Sequence, residues 1–271
     1  MHSKNIETTI LKIDLKKAYD CLDWGFLRCL LIKIGLNNQC TNWIMAWVGN
    51  VNYAILINGI PSPFFSAARG LRHGCSLSPL LFILVMDSLS LHINRVVSEG
   101  ICHPLTVSRG NNFSHNIFMD DILIFAMLCR QTWLNLHDIL ENFQRATGLL
   151  INGDKSSFHH GDVNIEVIEY LTHLFNIQAK SIKEGMKYLG YHLKPLGNSK
   201  SDWTWILNRF YKRIVSWEYK CLTMAGRMIL NQYVLAQLLV FWAYLFYIPA
   251  SVIHNLNRLK AYFIWGVARK K

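Results

Sequence analysis

The stretch "NIFMDDILIF", residues 116–125, places two adjacent aspartates, Asp120 and Asp121, inside a run that is otherwise mostly apolar. Ionised carboxylates rarely enter such a run unless a partner or a bound ion compensates their charge. The pattern predicts two short strands with the acids at the turn between them. A water-exposed turn with Asp-Asp at its tip is the simpler alternative.

A third acid ends another apolar segment. The stretch "TTILKIDL", residues 8–15, predicts a buried strand that ends near Asp14. If the two strands pair, three carboxylates converge, which is unfavourable unless a cation compensates them. Mg²⁺ prefers oxygen ligands, and two such ions about 4 Å apart can clamp an in-line phosphoryl displacement. We therefore predict a Mg²⁺ site, with Mn²⁺ as a possible substitute, at Asp14, Asp120 and Asp121.

The remaining periodicity predicts an α+β fold. Helical spacing runs from Tyr19 to Gly35, from Pro79 to about Leu91, and over residues 131–147, while Asn58-Gly59 predicts a hairpin turn. Helices and strands alternate without regular βαβ spacing, which favours a sheet with helices on one face. We predict a first domain over 1–194, a linker over 195–201, and a helical basic region over 202–271.

The positive charge is concentrated near the C-terminus. Residues 200–271 contain eleven Lys/Arg and two Asp/Glu, so they carry +9 of the net charge of +11. Such a block predicts a polyanionic partner, nucleic acid or an anionic membrane, although a solvated basic surface would have the same composition. The tryptophans in this region, including Trp203 and Trp205, could stack on bases, but core packing is their commoner role.

The cysteines and the apolar stretches bear on the compartment. Seven cysteines occur without a C-x-x-C pair, which predicts reduced thiols in an intracellular protein. Residues 233–250 come near the length of a membrane span, but the polar residues Asn231, Gln232 and Gln237 lower the hydrophobicity of this region. We interpret it as a buried helix and expect no membrane partner.

Five blocks of sequence resemble the palm motifs of reverse transcriptases, in the same order. They are "LKIDLKKAYDCLDW" (11–24), "RGLRHGCSLSPLLF" (69–82), "FMDD" (118–121), "TGLLINGDKS" (147–156) and "KYLGYHL" (187–193). The chain resembles in particular the non-LTR (LINE-type) retrotransposon enzymes of plant genomes. This resemblance implies a polymerase-type palm, an antiparallel sheet with helices on one face, followed by an all-α thumb-like region. It also implies RNA-directed DNA synthesis with an RNA template, a DNA primer and dNTPs, in the nucleus or cytoplasm; it leaves the oligomeric state open.

The resemblance assigns roles residue by residue. Asp14 and Asp120 would be metal ligands, and Asp121 would be the third carboxylate. Lys155 would donate a proton to pyrophosphate, unless it is an ordinary surface lysine. The expected nucleotide-binding residues are Tyr19, Arg72, His73 and Gly74, with Gly70 allowing close backbone approach, and the expected primer grip is Leu189 and Gly190. Tyr19 would exclude a ribose 2′-hydroxyl, unless it is an ordinary core tyrosine.

Two departures from the family pattern affect the expected activity. His73 stands where glutamine is usual, and only 13 residues precede Asp14, so the fingers region that normally comes earlier is missing. We therefore expect a fragment that does not polymerise DNA at a useful rate on its own, and an exposed sheet edge at the strand containing Asp14. The alternative is a catalytically inactive, nucleic-acid-binding remnant of a retrotransposon.

Overall fold

The structure is a computed structural model, and it describes residues 8–107, 111–161, 165–189, 191–194, 200–218, 222–245 and 247–265. The chain divides into two compact units, Met1–Leu189 and Gly190–Lys271. The predicted domain boundaries at 194 and 202 stay predictions, because most of the predicted linker (195–199) lies outside the described residues.

The first unit mixes helices and strands. In chain order its elements are β1 (Thr8–Lys16), α1 (Ala18–Cys21), α2 (Trp24–Lys33), α3 (Asn38–Gly49), β2 (Asn52–Tyr53), β3 (Leu56–Ile57), β4 (Ile60–Pro61), β5 (Phe65–Ser66), α4 (Leu77–Ser98), β6 (Leu105–Val107), β7 (Asn111–Phe113), β8 (His115–Phe118), β9 (Asp121–Met127), α5 (Arg130–Thr147), β10 (Leu150–Ile151), β11 (Ser157–His160), α6 (Ile165–Phe175), β12 (Gln178–Ser181) and β13 (Met186–Tyr188).

A central sheet organises this unit. Its strand order is β12-β11-β1-β9-β8, and β10 pairs with the end of β1. All pairs are antiparallel except β11 with β12, which is parallel. The expectation of an exposed edge at the strand containing Asp14 is wrong, because β11 returns after α5 and pairs with the side of β1 that β9 leaves open.

The two faces of the sheet have different coverings. Side chains alternate between faces along a strand, so Leu11, Ile13 and Leu15 point to one face, where they are buried against helices α2, α4 and α5. Full burial of one such side chain contributes about 1.5–3 kcal/mol. Ile10 points to the other face and packs in a small cluster with Leu123, Met186 and Tyr188. By the same alternation Asp14 belongs to this second face.

The helix predicted from Tyr19 to Gly35 is broken. Leu22 is extended, and Asp23 begins a new helix because its side chain accepts a hydrogen bond from the Phe26 N–H at 2.8 Å. That bond is a standard N-cap, which satisfies one of the unpaired N–H groups at a helix start. The predicted stop at Gly35 fits its positive φ of 99°.

The other elements of the first unit differ from the sequence prediction mainly in their length. The hairpin turning at Asn58-Gly59 is formed by β3 and β4, and both turn residues have positive φ. Helix α4 extends beyond the predicted 79–91 at both ends, and α3 has no sequence prediction. Among the described residues, α4 is also the one helix long and apolar enough to cross a membrane; its buried face belongs to the core of this unit.

The second unit is mainly helical. Its elements are β14 (Tyr191–Leu193), α7 (Thr204–Glu218), α8 (Met224–Leu230), a π-helical segment (Asn231–Leu235), α9 (Gln237–Leu245) and α10 (Ala250–Trp265). Its core contains Trp203, Phe210 and Leu256. The stretch 233–250, predicted to be one buried helix, is divided between the π-helical segment, α9 and the start of α10, and Tyr247 is 91% exposed.

Candidate active site

The structure places two of the three predicted carboxylates side by side and the third in the adjacent turn; among the described residues, only His137, Asp138 and Glu141 have three ligand atoms within 4.8 Å of one another. In the β1–β9 ladder, Asp14 is the direct partner of Asp121, so both side chains lie side by side on the second face of the sheet. Asp120 occupies the turn before β9, where Met119 takes a left-handed conformation with φ 56°. Asp120 is exposed, whereas Asp14 and Asp121 are half-buried.

The Asp121 carboxyl is perturbed by burial and by its charged neighbours. Its pKa is raised mainly by burial, and the negative charges of Asp120 and Asp14 raise it further. Lys12 lowers this pKa, and its effect is larger than that of either neighbouring acid. It lies two residues before Asp14 on the same face, and its ammonium donates a hydrogen bond to the Lys187 carbonyl at 2.7 Å. Lys12 therefore offsets the neighbouring acids, while burial keeps the Asp121 pKa raised.

The segment after β10 holds Asp14 in place. The Asp14 N–H donates to Ser156 Oγ at 3.1 Å, and the Asp14 carbonyl accepts from the Asn152 N–H at 2.8 Å. Asn152 Nδ2 also approaches the Asp14 carboxylate at 3.4 Å. Lys155 Nζ lies 3.8 Å from the same carboxylate oxygen and is 69% exposed. Lys155 is therefore a mobile cation at the edge of the cluster and a weak ion-pair partner.

Tyr19 connects the carboxylates to the predicted nucleotide-binding residues. Its ring stacks on Phe82 and on His73, with centroids 4.9 and 5.4 Å apart. Burial raises the Tyr19 pKa, and the charge of Asp120 raises it further. His73 is also held at its Nε2, 3.0 Å from the carboxylate of Asp20.

The two glycines of the 69–78 block, Gly70 and Gly74, have different surroundings. Gly70 has φ +86°, and a Cβ there would lie 2.6 Å from the Asp20 carbonyl oxygen. Gly70 therefore lies in close contact with the backbone of α1, the short helix that contains Tyr19. Gly74 has φ +78° with no atom within 4 Å of a Cβ position. Arg72 lines a cavity of about 410 Å³ beside Trp47.

One of the two predicted primer-grip residues can be described. Leu189 follows β13, has φ 47° and is 37% exposed. Its neighbour Tyr188 is buried, and its pKa is raised by burial and by the charge of Asp121, so this end of β13 lies close to the carboxylates. Gly190 lies outside the described residues.

Comparison with known proteins identifies the family. Residues 1–193 match the family described as "Reverse transcriptase (RNA-dependent DNA polymerase)". The chain belongs to the reverse transcriptase family. The similar proteins include Pol polyproteins of R2 retrotransposable elements, which confirms the resemblance to non-LTR retrotransposon enzymes. The narrower prediction of a plant-genome type stays a prediction.

The retrotransposon relatives are much longer than this reverse transcriptase chain. The "Retrovirus-related Pol polyprotein from type-2 retrotransposable element R2DM" of Drosophila melanogaster is 27% identical over 149 residues, which are 54% of this chain and 13% of that protein. The Pol polyprotein from the type-1 retrotransposable element R2 of Popillia japonica is 22% identical over 197 residues, 70% of this chain and 32% of that protein.

A solved structure supports the reverse transcriptase-like fold. Telomerase from Candida tropicalis, solved in complex with a TWJ fragment of telomeric RNA, matches with a TM-score of 0.50 and 11% sequence identity. The match covers 98% of this chain and 39% of the telomerase chain. At this identity the likeness concerns the fold alone, and it agrees with the predicted mixture of sheet and helices.

The acidic cluster fits the cations that reverse transcriptases use. The family works with divalent metal ions. Carboxylate oxygens are the ligands that hard divalent cations prefer. The raised pKa of Asp121 means that its negative charge is costly without a further cation nearby. Asp14 and Asp121, with Asp120 in the adjacent turn, therefore have the ligand chemistry that such cations prefer.

Several residues of this candidate site have no predicted role in it. They are Lys12, Asp20, Asn152 and Ser156. The two-residue period of β1 could have identified Lys12, since it places residues 12 and 14 on one face. Asn152 and Ser156 lie inside the 147–156 block, but nothing in the sequence indicates that they hold Asp14.

Replacing Asp121 with Asn is expected to raise the melting temperature of the metal-free protein. Because the pKa of this carboxyl is raised in the folded state, the free energy of unfolding falls as pH rises above the unfolded-state value of about 3.9. Because solvent screens this partly exposed carboxylate, removing its charge should contribute no more than about 1 kcal/mol near neutral pH, or at most roughly 2–4 °C. Thermal unfolding in EDTA should show this gain near neutral pH, and the gain should shrink toward about pH 4. A lower melting temperature for Asp121→Asn at neutral pH would contradict the electrostatic argument.

Proposed function

We propose that this chain carries the palm and thumb of an RNA-directed DNA polymerase. The first unit would be the palm, with its helices on one face of the sheet, and the second unit would be the all-α thumb. The proposal depends mainly on the direct pairing of Asp14 with Asp121, beside Asp120, on the sheet face that the helices leave uncovered. The substrates would be dNTPs, an RNA template and a DNA primer.

The carboxylates would hold the metal ions, while other side chains orient the reactants. Asp14, Asp120 and Asp121 would bind Mg²⁺, with Mn²⁺ as a substitute, since both accept oxygen ligands. When bound, the ions would favour ionisation of the primer 3′-hydroxyl and offset the charge of the triphosphate. Asn152 and Ser156 would keep Asp14 in position through the contacts that they make with it.

The remaining roles concern the nucleotide and the leaving group. Tyr19, supported from below by Phe82, would contact the sugar and exclude a 2′-hydroxyl by steric clash. Arg72, His73 and Gly74 would lie along the incoming nucleotide. Lys155 is near enough to Asp14 and exposed enough to donate a proton to pyrophosphate. Leu189 and Gly190 would contact the primer end.

The compartment follows from the substrates of the proposed reaction. We propose that the protein acts inside the cell, in the nucleus or the cytoplasm, where RNA and dNTPs are available. The described cysteines support a reducing environment, because all six of them are free thiols.

A catalytically inactive nucleic-acid-binding protein is the second candidate. His73 supports it, because a side chain hydrogen-bonded to Asp20 at 3.0 Å has a different shape and different hydrogen-bonding groups from the glutamine usual in the family. The basic second unit would then provide the remaining activity, binding without chemistry.

Primer extension distinguishes the two candidates. A labelled DNA primer on an RNA template is incubated with excess protein, all four dNTPs, and Mg²⁺ or Mn²⁺. We expect slow, metal-dependent extension that Asp120→Asn abolishes and Asp138→Asn, a change at an exposed acid of α5, leaves intact. Primer binding without extension supports the inactive protein. Extension that persists in Asp120→Asn would refute the proposed active site.

A further inference from the structure

Helix α7 has one buried face and one basic face. Ile206, Phe210 and Ile214 recur at four-residue intervals and are buried in the core of the second unit. The exposed side carries Arg209, Lys212 and Arg213 beside Trp205. The apolar face of the helix is therefore already occupied, and the basic face is available to a partner.

A groove follows the basic face. It has a volume of about 560 Å³, and its described lining consists of Trp205, Asn208, Arg209, Lys212 and Arg213. No described acidic side chain lines it. Trp205 is 36% exposed, and its ring meets Trp242 edge-on at 4.7 Å, which fixes the ring at the groove wall. The groove therefore combines a fixed aromatic surface with three cations.

We propose that this groove binds single-stranded nucleic acid. Arg209, Lys212 and Arg213 would contact phosphates, and Trp205 would stack on an unpaired base. From Trp205 to Arg213 the helix rises about 12 Å, a length over which one strand carries about three phosphates. The proposal rests on the proposed function only in taking nucleic acid as the partner; the site itself lies entirely in the second unit.

The aromatic side chain favours a single strand over a duplex. Bases inside a duplex are stacked on one another, so only an unpaired base offers its face to a protein ring. A duplex could use the three cations but not Trp205. The expectation from the sequence that residues 200–271 bind nucleic acid is thereby narrowed to the groove on α7, which should prefer a single strand to a duplex.

A membrane is the less suitable anionic partner. Amphipathic helices that bind bilayers insert their apolar face among the lipids. In α7 that face is buried in the protein core, with Ile206 and Phe210 fully inaccessible. Only electrostatic attraction to the lipid surface would remain.

Fluorescence anisotropy with the full chain tests the proposal. The probes are a labelled oligonucleotide of about 12 nucleotides, the matching duplex, and vesicles of phosphatidylcholine and phosphatidylserine in equal parts, all in EDTA without dNTPs. Trp205→Leu should weaken single-strand binding by about 5- to 150-fold, the effect of losing one stacked base, and should change duplex binding little. Trp205→Tyr, which keeps an aromatic face, should retain most of the affinity.

A charge-matched control separates the groove from overall charge. The triple change Arg209→Gln, Lys212→Gln, Arg213→Gln should reduce the slope of log K against log salt by about 2, at about 0.7 per phosphate contact. Lys33→Gln, Arg95→Gln, Arg145→Gln removes the same charge from helices of the first unit and should change the slope little. Equal effects of the two triple variants, tighter binding to vesicles than to the oligonucleotide, or no effect of Trp205→Leu would overturn the proposal. EDTA keeps these outcomes independent of the metal site.

Discussion

Replacing both Asp120 and Asp121 with Asn is expected to lower the affinity for Mn²⁺ by at least about 100-fold, or roughly 2.7 kcal/mol. Two of the three carboxylates at the sheet face lose their charge, while Asp14 keeps its partners. Mn²⁺ binds the ionised carboxylate, and the Asp121 pKa is raised, so affinity should increase with pH. Electron paramagnetic resonance of free Mn²⁺ measures the binding directly.

The chain offers a control for this experiment. On α5, His137, Asp138 and Glu141 have ligand atoms within 4.8 Å of one another, and the two acids are exposed. The double variant Asp138→Asn, Glu141→Gln removes the same charge and should leave the Mn²⁺ affinity of the sheet site unchanged. If this variant loses Mn²⁺ and the Asp120, Asp121 variant retains it, the assigned site is wrong.

Replacing Gly70 with Ala is expected to destabilise the first unit by about 3 kcal/mol or more. A Cβ at this position would lie 2.6 Å from the Asp20 carbonyl oxygen and 2.8 Å from that of Tyr19, and neither is a flexible side-chain atom. The left-handed conformation adds roughly 1–2 kcal/mol, and overpacking adds about 1–3 kcal/mol. Chemical denaturation of the full chain gives the change in the free energy of unfolding.

Gly74→Ala separates these two causes. Gly74 has a similar φ of +78°, but no atom lies within 4 Å of its Cβ position. It should therefore lose only the backbone part, roughly 1–2 kcal/mol. Equal losses for the two alanine variants would show that contact with the Tyr19 turn is unimportant. The Gly70 variant should also disturb Tyr19, because Leu71 N–H donates to the Tyr19 carbonyl at 2.6 Å.

The sequence predicted the centre of the fold well, because local patterns determine it. The mostly apolar runs at 8–15 and 121–127 correspond to β1 and β9, and the acids near their ends identify the face that carries the site. The Asn58-Gly59 turn was predictable because those residues tolerate positive φ.

Long-range contacts explain most of what the sequence did not reveal. The central position of β1 depends on β11, whose four residues include only one apolar side chain, Phe158, and so give no pattern that predicts a strand or its partner. The break before α2 depends on a single capping bond from Asp23, which the helical periodicity of the neighbouring residues conceals. The contact of His73 with Asp20 joins residues 53 positions apart, and no periodicity predicts such a pair.

The central position of β1 also affects how the protein emerges from the ribosome. Strand β1 cannot pair on either side until β9 and β11 have been synthesised, because Asp14 pairs with Asp121 and Thr9 pairs with His160. At about 5–20 residues per second, the apolar strand β1 therefore stays unpaired in the nascent chain for several seconds or more. Such a segment is prone to aggregation while it waits, so translation speed and early chaperone binding should influence the yield of folded protein.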